Sequence, residues 1–200
     1  MKHFFTATAA LVTIFLMSTT ATSAQTTKHE FATFATGCFW CTEAVFKHVP
    51  GVIHSVSGYS GGHVDHPTYE QISSGSTGHA ECIQLEFDPA VVSYEKLVEI
   101  FFEAHDPTTM NRQGADEGTQ YRSEIFYADD SQQRAAARGK IAAQAKQADL
   151  IVTAIEPLKK FWPGEDYHQD YFAKHPDQAY CRFVIKPKIA KLQDHGVIKP

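Results

Sequence analysis

Cysteine is scarce in this 200-residue chain, which holds four: Cys38, Cys41, Cys82 and Cys181. A single Cys-x-x-Cys pair (Cys38, Cys41), without a second knuckle or a nearby His pair at zinc spacing, makes a structural zinc site a weak reading. An excess of positive charge is also missing. Lys and Arg number 18 against 23 Asp and Glu, a net charge of −5, and an acidic, unpatterned surface argues against nucleic acid as a partner. No apolar run reaches the roughly 20 residues that a membrane-spanning helix needs. Internal repeats and low-complexity segments are absent too, which leaves one ordinary domain as the expected organisation. With 43% hydrophobic and 12% aromatic residues, that domain can bury a sizeable core.

The first 24 residues read as an export signal. Lys2 supplies the charge, Phe4 to Met17 the apolar centre, and Thr22-Ser23-Ala24 the small residues a signal peptidase accepts. A retained N-terminal anchor is the alternative, disfavoured because the apolar stretch is only 14 residues long. The expected product is a catalytic domain over 25–200, exported to the periplasm or secreted, with a tail from about 177. Four cysteines in an exported chain would ordinarily suggest two structural disulfides. Against that, a Cys38–Cys41 bridge closes a loop too short to gain much entropy. A Cys-x-x-Cys pair at a helix start is more often redox-active.

The stretch Gly37-Cys38-Phe39-Trp40-Cys41 organises the rest. A β-like run, Phe31 to Thr36, leads into it, and Thr42, Val45, Phe46 and Val49 follow at helical spacing until Pro50-Gly51. A cysteine where a strand gives way to a helix meets unpaired backbone N–H groups and the positive end of the helix dipole. Both favour thiolate, so the Cys38 pKa is expected to fall.

Further strands are expected over Val52–Tyr59, Ala80–Phe87, Arg122–Ala128 and Ile151–Ile155. Ser93 should cap a helix with a Tyr94, Leu97, Ile100, Phe101, Ala104 stripe. Asp129 or Ser131 should open an Ala-rich outer helix reaching about Ala148. Tyr69–Ile72 reads as one helical turn, Thr108–Gln120 as a long functional loop, and Glu165–His175 as a short aromatic helix. The Ala80–Phe87 strand alternates Ile83, Leu85, Phe87 against Cys82, Gln84, Glu86. Glu81 shares the parity of the apolar row, where burial raises a carboxyl pKa. Cys82 points the other way and reads as a bystander. Interleaved helices and strands predict an α+β or α/β sandwich with a mixed sheet.

A nucleophilic sulfur and a carboxyl group that keeps its proton suit sulfoxide chemistry. The thiolate attacks an electrophilic sulfur, and the departing oxygen must be protonated and held by hydroxyl donors. Tyr69 and Tyr121 lie in Gly-rich loops that could close over Cys38 and Glu81. The expected arrangement places Cys38 and Glu81 across one apolar, aromatic-walled cup.

The chain resembles the A-type peptide methionine sulfoxide reductases. The resemblance rests on GCFWC (37–41), SGYSGG (57–62), PTYEQI (67–72), TGHAE (77–81), HDPTTMNRQGADEGTQYRS (105–123) and EDYHQDY (165–171). Each alone is weak; six in the family's order are highly specific. The resemblance implies an α+β two-layer sandwich with a mixed sheet and ferredoxin-like core, no cofactor and no metal. It implies reduction of the S epimer of methionine sulfoxide, free or in proteins. Cys38 then matches the nucleophile, Glu81 the acid, and Tyr69 and Tyr121 the hydroxyls on the sulfoxide oxygen. Phe39 and Trp40 match the methyl pocket, Asp116 an active-site carboxylate, and His168 a residue near the substrate backbone.

Cys38 would pass through a sulfenic acid to an intramolecular disulfide, which a thioredoxin-like dithiol reduces. Many relatives carry glycine where Cys41 stands and resolve with a C-terminal cysteine like Cys181. Cys41, one helical turn away, is the expected first resolver because ring closure costs it little, with Cys181 on a mobile tail taking the disulfide onward. A monomer without membrane attachment after signal cleavage is expected. Two other readings stand beside this one, a thioredoxin-like thiol–disulfide oxidoreductase and a disulfide-stapled binding module. The first leaves Glu81 and the tyrosines without a role, and the second would show no thiol of unusual reactivity at pH 6.

Overall fold

The computed structural model describes Met1 and residues 29–200; apart from Met1, the expected export signal over 1–24 lies outside the described residues. The chain runs β1 (Glu30–Thr36), α1 (Phe39–Phe46), β2 (Val52–Ser60), α2 (Tyr69–Ser73), β3 (Ala80–Phe87) and α3 (Tyr94–Ala104). A two-residue hairpin, β4 (Arg112–Gln113) and β5 (Asp116–Glu117), and a 3-10 turn (Thr119–Tyr121) precede β6 (Ser123–Tyr127). Then come α4 (Asp130–Gln144), β7 (Ala154–Pro157), β8 (Phe161–Pro163), a 3-10 turn (Asp166–His168) and α5 (Tyr171–Lys174). A π-helical turn (Cys181–Ile185) runs directly into α6 (Lys186–Asp194).

The main sheet has the order β7-β6-β1-β3-β2-β8. Every pairing is antiparallel except β6 with β7, so the sheet is mixed. Its middle four strands, with α1 and α3, form the βαββαβ unit of a ferredoxin-like core. Phe34, Ile83, Leu85, Phe87 and Ile125 face α1 and α3, joined by Phe46, Leu97 and Phe101. Cys82 faces the opposite side with Ala35, Ala80 and Phe126, as its parity predicts.

The local signals explain most boundaries. The Ser93 hydroxyl accepts from Lys96 N–H at 3.1 Å, and the Asp129 carboxylate accepts from Ser131 and Gln132 N–H at 2.8 and 3.0 Å. Both cap helices where expected. Helix α4 lies on α3, where Gly139 leaves room for Val98: an added Cβ would sit 2.4 Å from its side chain. The segment 108–120 is not structureless, since it folds the small β4–β5 hairpin.

Three elements differ from expectation. Ile151-Val152-Thr153 is coil, and the strand starts at Ala154. Val152 N–H donates to the Pro107 carbonyl, and Thr153 is tied to Ser123 and Lys140. The expected helix over 165–175 breaks at Asp170, which adopts a left-handed φ of 60°. The buried Glu43 carboxylate holds its N–H at 2.9 Å. The C-terminal segment is not a loose tail: Cys181, Ile185, Ile189, Leu192 and Ile198 are all buried against the core.

Candidate active site

Gly37 ends β1 with φ +94°, a conformation open to glycine at little cost, and turns the chain into α1. Cys38 stands at the cap position of that helix. Its carbonyl accepts from Cys41 N–H (3.1 Å), Thr42 N–H (3.2 Å) and the Thr42 hydroxyl (3.1 Å). The first free N–H of the helix, on Phe39, donates to Glu81 Oε2 at 3.1 Å. Strand β3 therefore delivers Glu81 to the residue beside Cys38. Glu81 is 2% exposed, and burial is the main reason its pKa rises to about 8. The Phe39 N–H pulls it back, while Asp116 and Cys41 push it up. At neutral pH the carboxyl keeps its proton.

That same hydrogen bond corrects the expectation for Cys38. The sulfur receives no capping bond: Phe39 N–H goes to Glu81, and Cys41 N–H to the Cys38 carbonyl. Burial, the hydrogen bond shared with Cys41 and the nearby Glu81 instead hold the Cys38 thiol well above its ordinary range. The partner thiol moves the other way. The hydrogen bond with Cys38 brings Cys41 down to about 7 against burial, with help from Lys188 and Tyr180. The first proton thus leaves the pair near neutrality, and the second is held tightly.

Aromatic rings enclose this corner. Phe39 is buried between Tyr59, Tyr69 and His168, with ring centroids 5.9, 6.4 and 4.7 Å away. Trp40 stacks flat on Tyr171 at 3.6 Å and donates its indole N–H to His168 Nδ1 at 3.1 Å. Burial lowers the His168 pKa, so its ring is neutral and the proton sits on Nε2. That atom is buried without a hydrogen-bond partner among the described residues, 3.9 Å from Glu165 Oε2. Tyr69 and Tyr121 both have raised pKa values, from burial first and Glu81 second, so both hydroxyls remain donors.

A cavity of about 120 Å³ borders both sulfurs. Gln113, Gly114, Ala115, Asp116, Tyr180, Val184 and Lys188 line the rest of it. Glu81, Tyr69 and Tyr121 do not, so this opening belongs to the cysteine pair rather than to a cup shared by Cys38 and Glu81. A larger groove of about 1030 Å³ between α3, α4 and α6 contains neither a cysteine nor Glu81. Of the two, only the smaller opening borders the cysteine pair.

None of the four cysteines is joined in a disulfide in this structure. Cys38, Cys41, Glu81, Tyr69, Tyr121, Phe39, Trp40, Asp116 and His168 gather at one end of the sheet. Cys181 is buried in the π-helical turn rather than carried on a mobile tail. Three contributors had no signal of their own in the sequence. Glu165 accepts from Tyr59 OH (2.7 Å) and Tyr69 N–H (2.8 Å), fixing the Tyr69 loop. Glu43 holds the break at Asp170. Tyr180 reaches Asp116 and Cys41 from the C-terminal segment; only its place beside Cys181 could have drawn notice.

Paired thiols next to a proton-bearing buried carboxyl, on a ferredoxin-like core, define a thiol-based oxidoreductase. The family described as peptide methionine sulfoxide reductase matches residues 30–199, and the chain belongs to that family. It is 52% identical over 166 residues to the peptide methionine sulfoxide reductase MsrA of Haloquadratum walsbyi, covering 82% of this chain and 95% of that one. It is also similar to the reduced form of Mxr1 from Saccharomyces cerevisiae, with a TM-score of 0.74 and 36% identity over 79% of this chain and 92% of the other. The structure of Mxr1 in complex with Trx2 matches with a TM-score of 0.53 and 27% identity, over 76% and 91%.

Proposed function

We propose that this enzyme reduces the S epimer of methionine sulfoxide, free or in oxidised proteins, through a sulfenic acid on Cys38. The carrying observation is the Phe39 N–H to Glu81 bond, which sets a protonated carboxyl beside the nucleophile's backbone. The Cys38 sulfur gives two electrons to the sulfoxide and takes its oxygen. Glu81 protonates that oxygen and is reprotonated by the proton the Cys38 thiol gives up, Tyr69 and Tyr121 donate to the oxygen, and methionine leaves as the thioether. Phe39 and Trp40 form the apolar wall for the methyl group, while His168 and Asp116 meet the substrate backbone. Cys41 then displaces the oxygen of the sulfenic acid as water, giving a Cys38–Cys41 disulfide, and Cys181 takes the disulfide onward. A thioredoxin-like dithiol protein restores the thiols, a reading supported by the yeast relative's complex with Trx2.

The enzyme is a monomer of one catalytic domain over 25–200, exported to the periplasm or secreted after loss of residues 1–24. The charge, apolar run and small residues of that segment support this reading. No helix among the described residues is long and apolar enough to cross a membrane.

Single-turnover assay of each sulfoxide epimer, followed by disulfide mapping, tests the scheme. Cys38→Ser should form no methionine. Cys41→Ser should form about one methionine per enzyme and accumulate a sulfenic acid. Methionine formation by Cys38→Ser, or equal reduction of both epimers, would refute the assignment.

A further inference from the structure

We infer that Tyr180 is a positioning residue for the resolving step, its hydroxyl seated between the Asp116 carboxylate and the Cys41 sulfur. The inference rests on the reading of Cys41 as first resolver. The Tyr180 O–H donates to Asp116 Oδ2 at 2.5 Å, a charge-assisted bond of the short, strong kind. With its single proton committed there, the hydroxyl offers lone pairs to the other side. Cys41 S–H occupies that side and donates to Tyr180 O at 3.7 Å. The ring is held independently, edge-on to Trp40 at 6.0 Å and 76°. Three separate elements thus meet at one hydroxyl: α1 through Cys41, the β4–β5 hairpin through Asp116, and the C-terminal segment through Tyr180 itself.

This placement matches what resolution requires. The Cys41 thiol must turn toward the Cys38 sulfenic sulfur and give up its proton as the S–S bond forms. The S–O bond breaks, and the thiol proton joins the departing hydroxide as water. No outside oxidant or reductant enters. The small cavity bordering both sulfurs, with Asp116, Tyr180 and Lys188 on its wall, is where that water emerges. The Tyr180 hydroxyl also has a choice of anions: it donates to Asp116 while Cys41 is a thiol and can swing to the sulfur when Cys41 ionises. Such a donor stabilises the thiolate in the attacking direction. The charged and titratable groups facing Cys41 are Cys38 on α1, Glu81 on β3, Asp116 on β5, Tyr180 and Cys181 in the C-terminal segment, and Lys188 on α6.

Tyr180→Phe keeps the ring and removes the hydroxyl. One molar equivalent of methionine sulfoxide is added to the reduced full-length enzyme, and methionine formation and Cys38–Cys41 disulfide formation are followed in the same sample by quenched mass spectrometry. Methionine formed per enzyme counts the folded, active molecules. The variant should slow disulfide formation roughly tenfold more than it slows methionine formation, the order of one lost hydrogen bond. Its disulfide-formation rate should also reach half-maximum at a more alkaline pH than that of the unmodified enzyme. Equal slowing of both steps with an unmoved pH midpoint would overturn the inference and leave Cys41 as resolver intact. A Cys38–Cys181 disulfide forming first in the unmodified enzyme would instead overturn the reading of Cys41 beneath it.

Discussion

At the scale of single residues, the site turns on where one backbone proton goes. The Phe39 N–H serves the Glu81 carboxyl, and no helix N–H caps the Cys38 sulfur. That bond anchors Glu81, while burial keeps both the Glu81 carboxyl and the Cys38 thiol protonated against it. The burial has a thermodynamic signature. The folded Glu81 holds its proton to about pH 8, against an ordinary value of 4.5. The native state therefore binds more protons than the unfolded chain between those values, and stability falls as pH rises through that window. The contribution is fully present below the unfolded pKa and is lost as pH climbs through the folded one. Across that window one extra bound proton costs about 1.4 kcal/mol of stability for every rise of one in pH. Glu43 and Glu124 are raised too and add to the slope. His105 and His168, held neutral by burial, act in the opposite sense below about pH 6.5, so urea unfolding from about pH 6.5 to 8 should show the loss of stability that Glu81→Gln flattens. Parallel profiles for the two proteins would contradict the buried, protonated carboxyl.

At the scale of elements, the strand-to-helix joint at residues 36–38 does the positioning. Gly37 lies under the β4–β5 hairpin, and a Cβ there would come within 2.6 Å of Gln113 Cβ. Its φ of +94° is itself hostile to a side chain. Gly37→Ala should cost about 1–3 kcal/mol and displace the hairpin that carries Asp116. A urea midpoint equal to that of the unmodified protein would remove this reading of the joint. Most of the elements were legible in the sequence, because strict alternation in Ala80–Phe87 and good caps at Ser93 and Asp129 leave little choice. The parity of Glu81 alone announced a buried carboxyl. What the sequence concealed depended on distant partners. The helix over 165–175 breaks because Glu43, more than a hundred residues away, captures Asp170 N–H. Strand β8 is three residues long and depends on the β2 edge for its pairing. The C-terminal segment carried its helical spacing openly in Cys181, Ile185, Ile189 and Leu192, but the continuous Phe183-Val184-Ile185 run masked it. Tyr180 was missed for that reason.

At the scale of the whole molecule, the ferredoxin-like core brings residues from six separate segments to one end of the sheet. Cys38 and Cys41 come from the first crossover, Tyr69 from the second connection, and Glu81 from the middle strand. Asp116 and Tyr121 come from the segment before β6, His168 from the turn after β8, and Tyr180 from the C-terminal segment. The fold sets the Glu81 carboxyl on the first N–H of α1 and leaves Cys38 and Cys41 bordering the small cavity. The proton held by Glu81 is the claim on which the first half-reaction stands, and the pH dependence of single-turnover methionine formation tests it most directly. The unmodified enzyme should lose rate above about pH 8 as Glu81 ionises. Glu81→Gln should be slower by roughly a hundredfold or more and show no such fall. A variant as fast as the unmodified enzyme, or one that declines at the same pH, would contradict the account.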